Sequence, residues 1–380
     1  MTNLILRPAA VIILAFALTM AAVCSAQNSY NQQNLVSDIP GLANHTDPNL
    51  VNPWGIASSS GSPFWVSDND RDVSTLYNST GMPLSLVVSI PPGAPTGVVF
   101  NNNAAGTFNG DFFLFATETG AIAGWRGALG TTAETLATVP NAVFKGIATA
   151  TVNNNAYIYA ADFFHGNINV LPNGGAPSLT GNFTDPNIPA GFAPFNIQNI
   201  NGQLLVTYAL QDADKEDDVP GPGNGFVDVF DLNGNFVKRL ISDTVLDSPW
   251  GLAIAPGNFG AFSNDLLVGN FGNGMINAFN PNTGAFLGTL QGENGPITIE
   301  GLWGLRVGNG GNGGDPDSVF FTAGIPDGGQ LEDHGLFGRI SVPDSGTTFT
   351  LLLASLSALL LVRVNSTTLG DTDRSRQAPS

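Results

Sequence analysis

Asn52-Pro53-Trp54-Gly55-Ile56-Ala57 is the first of six related phrases in the chain. The others are Thr96-Gly97-Val98-Val99-Phe100, Lys145-Gly146-Ile147-Ala148, a degraded Phe195-Asn196-Ile197, Pro249-Trp250-Gly251-Leu252-Ala253 and Leu302-Trp303-Gly304-Leu305. Positions 55, 97, 146, 196, 251 and 304 stand 42, 49, 50, 55 and 53 residues apart. A repeat of this length, made of strands and not helices, predicts the blades of an all-β propeller. The glycine has a physical reading: innermost strands crowd round a narrow axis, and a missing side chain lets backbones approach.

Each phrase is followed by a second strand, such as Phe64-Trp65-Val66-Ser67, Tyr157-Ile158-Tyr159-Ala160 or Leu266-Leu267-Val268-Gly269. Third strands follow, as in Ile168-Asn169-Val170-Leu171 and Phe226-Val227-Asp228-Val229-Phe230. These are β-branched and aromatic runs bounded by Gly, Asn and Pro. The turns Pro172-Asn173-Gly174-Gly175 and Leu232-Asn233-Gly234-Asn235 are expected to lead into fourth strands.

Ring closure is legible too. Leu35-Val36-Ser37-Asp38 leads to Asn52-Pro53-Trp54-Gly55 much as Leu240-Ile241-Ser242-Asp243 leads to Ser248-Pro249-Trp250-Gly251. Residues 35–39 therefore read as a fourth strand with no blade before it. Gly335 to Val342 reads as a third strand with no fourth after it. Pairing the two closes a six-bladed propeller over residues 34–342 and removes exposed edges.

Both ends of the chain read as signals. Arg7, the apolar run Ala9 to Val23 and Cys24-Ser25-Ala26 are the parts of a secretory signal peptide, residues 1–26. A lipoprotein anchored through Cys24 is the rival, weakened by Val23 before the cysteine. At the other end, Val342-Pro343-Asp344-Ser345-Gly346 precedes an apolar stretch from Phe349 to Val362 and then Arg363. This resembles the VPDSG variety of the PEP-CTERM sorting signals, here residues 342–363. The resemblance implies recognition by an exosortase-type membrane protease, removal of the transmembrane segment, and release or attachment at the cell surface, outer membrane or extracellular matrix. The polar tail at 364–380, with Asp371, Asp373, Arg374 and Arg376, departs from that pattern. A plain C-terminal membrane anchor is the alternative.

The run Asn34 to Asn69, and the stretch Tyr208 to Val227 with its Gln211-Asp212-Ala213-Asp214-Lys215, resemble an uncharacterised family of exported bacterial propellers with NHL/SMP-30-like repeats. That resemblance implies a fold and an exported location but no activity.

With 12 Lys and Arg against 30 Asp and Glu, the net charge is −18. Nucleic acid needs basic side chains to neutralise its phosphates, so it is excluded as a partner. Cations, or neutral polymers such as glycans, suit the charge better. The one cysteine, Cys24, falls in the export leader, so disulfides do not hold the mature fold.

In a four-stranded blade, the loops from fourth to first strands and from second to third strands share one face. Here they carry most of the acids, among them Asp70, Asp72, the 212–218 cluster, Glu332 and Asp333. That face is the expected binding surface. Trp54, Trp250 and Trp303 stand at its inner edge, where they either stack on a sugar or pack between blades. Asp68, Glu118, Asp162 and Asn270 end second strands and are expected to point to the central opening. They suit Ca²⁺, or they cap turns. Asp212, Asp214, Asp217 and Asp218 belong to an insertion in blade 4 that either orders round Ca²⁺ or stays solvated. It lacks the glycine and closing glutamate of an EF-hand.

No Gly-x-Ser-x-Gly, His-Glu-x-x-His or phosphate-binding glycine loop is present in the sequence. His45, His165 and His334 are widely spaced loop residues. The reading preferred from sequence is a non-catalytic surface or matrix protein binding a glycan, a surface protein or Ca²⁺. A metal-dependent hydrolase or lactonase with its site at the axis is the alternative, by fold analogy alone.

Overall fold

The computed structural model describes residues 29–343. The expected signal peptide, the apolar stretch Phe349 to Val362, the tail, and Asp344, Ser345 and Gly346 of the sorting motif lie outside the described residues. Among the described residues no helix is long and apolar enough to cross a membrane.

Six antiparallel sheets follow one another along the chain. Their inner strands are Pro53–Ala57, Pro95–Phe100, Phe144–Val152, Phe192–Ile200, Pro249–Ile254 and Leu302–Val307, numbered here as blades 1 to 6. Each inner strand packs beside the next, and that of blade 6 packs beside that of blade 1. This is a closed six-bladed propeller. The fourth strand of blade 6 is Asn31–Ser37, which pairs antiparallel with His334–Ser341 and carries the short parallel strand His45–Thr46 on its outer edge. It begins a few residues before the expected Leu35. Ser37 Oγ donates to the Gly335 carbonyl at 2.7 Å, pinning the seam.

The repeated glycines make the ring tight. A Cβ on Gly55 would lie 2.6 Å from both the Thr96 oxygen and the Val98 nitrogen of blade 2, and one on Gly97 2.8 Å from the Ile147 nitrogen of blade 3. One on Gly251 would lie 2.6 Å from the Trp303 oxygen, and one on Gly304 2.8 Å from the Trp54 oxygen. Each glycine thus admits the backbone of the next blade. The degraded phrase of blade 4 has its own logic. Asn196 Oδ1 sits where a Cβ of Gly146 would be, at 2.2 Å, while Asn196 Nδ2 donates to the Trp250 carbonyl at 2.8 Å. One polar side chain fills the gap to blade 3 and ties blade 4 to blade 5.

One expectation fails at blade 3. It has three strands, Phe144–Val152, Asn155–Asp162 and Asn167–Pro172, and the turn at 172–175 leads to no fourth. Pro177 and Pro186 lack an N–H for a ladder. The chain crosses instead to blade 4, where the Gly181 and Phe183 amides donate to the Asn233 and Gly234 carbonyls, both at 2.9 Å. Phe183 is buried between Tyr159 of blade 3 and Phe230 of blade 4, with centroids 5.6 and 5.7 Å away. Burial of this aromatic outweighs completing the sheet.

Candidate functional site: the acidic mouth of the axis

The residue before each phrase glycine, or before Asn196, forms a ring about the axis: Trp54, Thr96, Lys145, Phe195, Trp250 and Trp303. In all six blades the pairing of first and second strands shifts register at this position. A β-bulge breaks the alternation of the pleat and re-aims a side chain. Four of the six are aromatic, and with Phe163 and Phe271 they form one buried cluster. Phe271, Trp303 and Trp54 make a column, with centroid separations of 4.0 and 3.4 Å and near-parallel rings. Trp250 meets both tryptophans edge-on.

Lys145 breaks the aromatic pattern. Its side chain is 1% exposed, and its Nζ lies 4.8 Å from the Trp54 ring centroid, on the column. The ammonium donates to Glu118 Oε1 at 2.5 Å and Asp217 Oδ1 at 3.3 Å. Burial opposes its charge, but the two carboxylates outweigh that and hold its pKa above the ordinary lysine value.

Above this ring opens a pocket of about 390 Å³. Its walls come from blade 1 (Asn52, Asn69, Asp70), blade 2 (Glu118), blade 4 (Glu216, Asp217) and blade 6 (Glu332, Asp333). Trp54 lines it too, with Val143 and Leu331 as apolar wall. These are the loops that the sequence assigns to one face. Asn52 links the pieces: its Nδ2 donates to Glu332 Oε1 at 3.0 Å, and its Oδ1 accepts from Trp303 Nε1 at 3.2 Å. Burial, reinforced by the charges of Glu118 and Asp217, pushes Glu332 up to about 7 despite Lys145 and Asn52. Asp70 is raised as well, by burial first and then by Glu118 and Asp333.

The four residues expected at the central opening divide. Glu118 faces the pocket, held by Asn69 Nδ2 at 2.8 Å as well as by Lys145. The other three are turned to local partners instead. Asp68 Oδ2 accepts from the Thr75 amide at 3.0 Å and hydroxyl at 2.8 Å. Asp162 Oδ2 is 2.8 Å from both His165 Nδ1 and Asn169 Nδ2, and Asn270 Nδ2 donates to the Val245 carbonyl at 2.8 Å. Turn geometry claims these side chains.

The tryptophans are buried, and Trp54 and Trp303 have both ring faces covered, which leaves neither a face for a flat ligand. In the blade 4 insertion Asp212 Oδ1 caps the Glu216 amide at 3.1 Å, Asp214 is exposed and Asp217 reaches Lys145. Asp218 is raised to about 6 by burial. Among the described residues no three His, Cys, Asp or Glu side chains are grouped to hold a metal ion.

Lys145 is the residue that motif reading passes over. Aligning the six phrases on their glycines sets it where three blades have tryptophan, and that substitution is the signal.

Comparison with known proteins places this geometry. The uncharacterized protein R648 of Acanthamoeba polyphaga mimivirus is 34% identical over 330 residues, covering 80% of this chain and 78% of its own. The chain belongs to the family of this protein. The uncharacterized protein L690 of the same virus is 33% identical over 294 residues, covering 71% of this chain and 77% of its own. Residues 341–363 match the VPDSG-CTERM motif. Among solved structures, one titled glucose dehydrogenase superposes with a TM-score of 0.51 at 13% identity, covering 81% of this chain and 98% of that chain. At that identity the likeness is one of fold alone.

Proposed function

We propose that the protein is an exported, surface-associated binding protein that takes a positively charged ligand in the acidic mouth of its propeller. One observation carries this: carboxylates of blades 1, 2, 4 and 6 meet in a single pocket whose salt-bridged cation is the chain's own Lys145. The spread of these acids over four walls favours a binder over a metal-dependent hydrolase, which needs ligands converging on a point.

Export rests on the chain's two ends. Residues 1–26 act as a cleaved signal peptide, and the VPDSG-CTERM motif directs the chain to exosortase-type sorting machinery. The following apolar segment anchors it in the membrane until processing, and residues 364–380 are a polar tail.

The test is a titration of the full chain with small cationic, neutral and anionic ligands at low salt and at about 0.5 M salt, where the screening length is about 4 Å. Only cations are expected to bind, more weakly in salt, and the double variant Asp70→Asn/Glu332→Gln is expected to lose them. Retained binding of neutral or anionic ligands alone contradicts the reading. Mass spectrometry of the mature protein is expected to find residues 1–26 removed; an intact leader contradicts export through it.

A further inference from the structure

We infer that the ligand of the acidic mouth is an oligomeric amino sugar bearing free amines, which rests on the reading of this pocket as a cation site. Four facts lead there. Of the six wall carboxylates, Glu118 and Asp217 are matched by Lys145, while Asp70, Glu216, Glu332 and Asp333 join no salt bridge among the described residues. They lie on three separate blades, and no three acidic side chains are grouped for a metal. Ca²⁺ requires six to eight oxygens round one point, so charges spread over the ligand answer this arrangement better than one compact ion.

The second fact is that Lys145 itself shows what the pocket accepts. An ammonium on an alkyl stem sits between two carboxylates and over an aromatic ring. The third is independent of the acids. Trp54, 2% exposed, lines the pocket, and its indole N–H has no acceptor among the described residues. A buried donor without a partner is costly and rare. A protonated amine has no lone pair to offer it, whereas a sugar hydroxyl does. Fourth, the covered faces of Trp54 leave ring stacking out, so polar contacts hold the sugar. Amines for the carboxylates and hydroxyls for the indole together describe an amino sugar. A pocket of about 390 Å³ is of small-ligand size, and its open side lets further units extend outward.

Calorimetry of the full chain at pH 6.5 and low salt, where the sugar amines are largely protonated, tests this with four probes: a glucosamine trimer, its fully N-acetylated counterpart, spermidine and calcium chloride. The glucosamine trimer is expected to bind, and acetylation, which removes charge at nearly constant shape, to weaken it at least tenfold. Trp54→Phe, which keeps an aromatic in the column but lacks the N–H, is expected to weaken the trimer several-fold and leave spermidine unchanged. Spermidine binding as tightly as the trimer, or calcium alone binding, overturns the amino-sugar assignment and leaves the cation reading standing. Equal binding of the acetylated trimer, or binding of no probe, overturns both.

Discussion

Trp303 in blade 6 and Lys145 in blade 3 hold the same bulged position, half a turn of the ring apart. Trp303 lies between Phe271 and Trp54 and donates its N–H to Asn52, so all of its surface is spent on packing. Lys145 turns the same position into a charge, answered by Glu118 and by Asp217 from a loop of blade 4. One element type, one bulge and one level of the axis thus give a plug in one half and the floor of an acidic pocket in the other. The difference lies in the side chain alone, because the neighbouring glycine or Asn196 already fixes the backbone.

The comparison is broken most completely by removing what both halves share. Gly55→Val would set a Cβ 2.6 Å from two backbone atoms of blade 2, which cannot yield as a side chain can. Overpacking of a core costs about 1–3 kcal/mol and occasionally more, and a Cβ forced against the backbone of a closed ring belongs beyond that range. The expected outcome is loss of the cooperative unfolding transition in circular dichroism; an unchanged midpoint contradicts the tight ring. Next in size is Trp303→Ala, with an expected loss of about 3–5 kcal/mol in urea unfolding. A loss below about 1 kcal/mol would show that the column does not hold the axis.

Lys145→Met sharpens the contrast. Removing one partner of an ion pair is costly where the charge left behind stays buried, but here the two carboxylates left behind are partly or mostly solvated, at 26% and 74% exposure. Stability is expected to change by no more than about 1 kcal/mol, against the several lost at Trp303. The last test is of pH dependence. Burial raises Glu332 and Asp228 to about 7, above the ordinary carboxylate range. Between that range and 7 the folded chain keeps protons that the unfolded chain has released, so stability falls as pH rises through this window and levels off above it. Thermal melts from pH 5 to 8 check the sign, and Glu332→Gln is expected to flatten the slope in part.

The ring and its closure were legible because glycine spacing and the stray strand at 35–39 are local features with one geometric solution. The shared acidic face followed from strand order, and Glu118 with it. What was not legible depends on partners distant in sequence. The crossing of residues 174–188 to blade 4 is set by Phe183 finding Tyr159 and Phe230. The inward turn of Asp68 is set by Thr75, and that of Asp162 by His165 and Asn169, where turn hydrogen bonds win over the opening. Lys145 stood in plain view within its phrase, but its weight appears only when a loop some seventy residues later brings Asp217 back to it.

The central claim is that the mouth selects positive charge, with Lys145 as its built-in counter-ion. Calorimetric titration of wild type and Lys145→Met with the glucosamine trimer, side by side at pH 6.5 and low salt, tests it most directly. The account predicts several-fold tighter binding by the variant, since two carboxylates are freed for the ligand. Equal or weaker binding by a variant that melts like the wild type would contradict it.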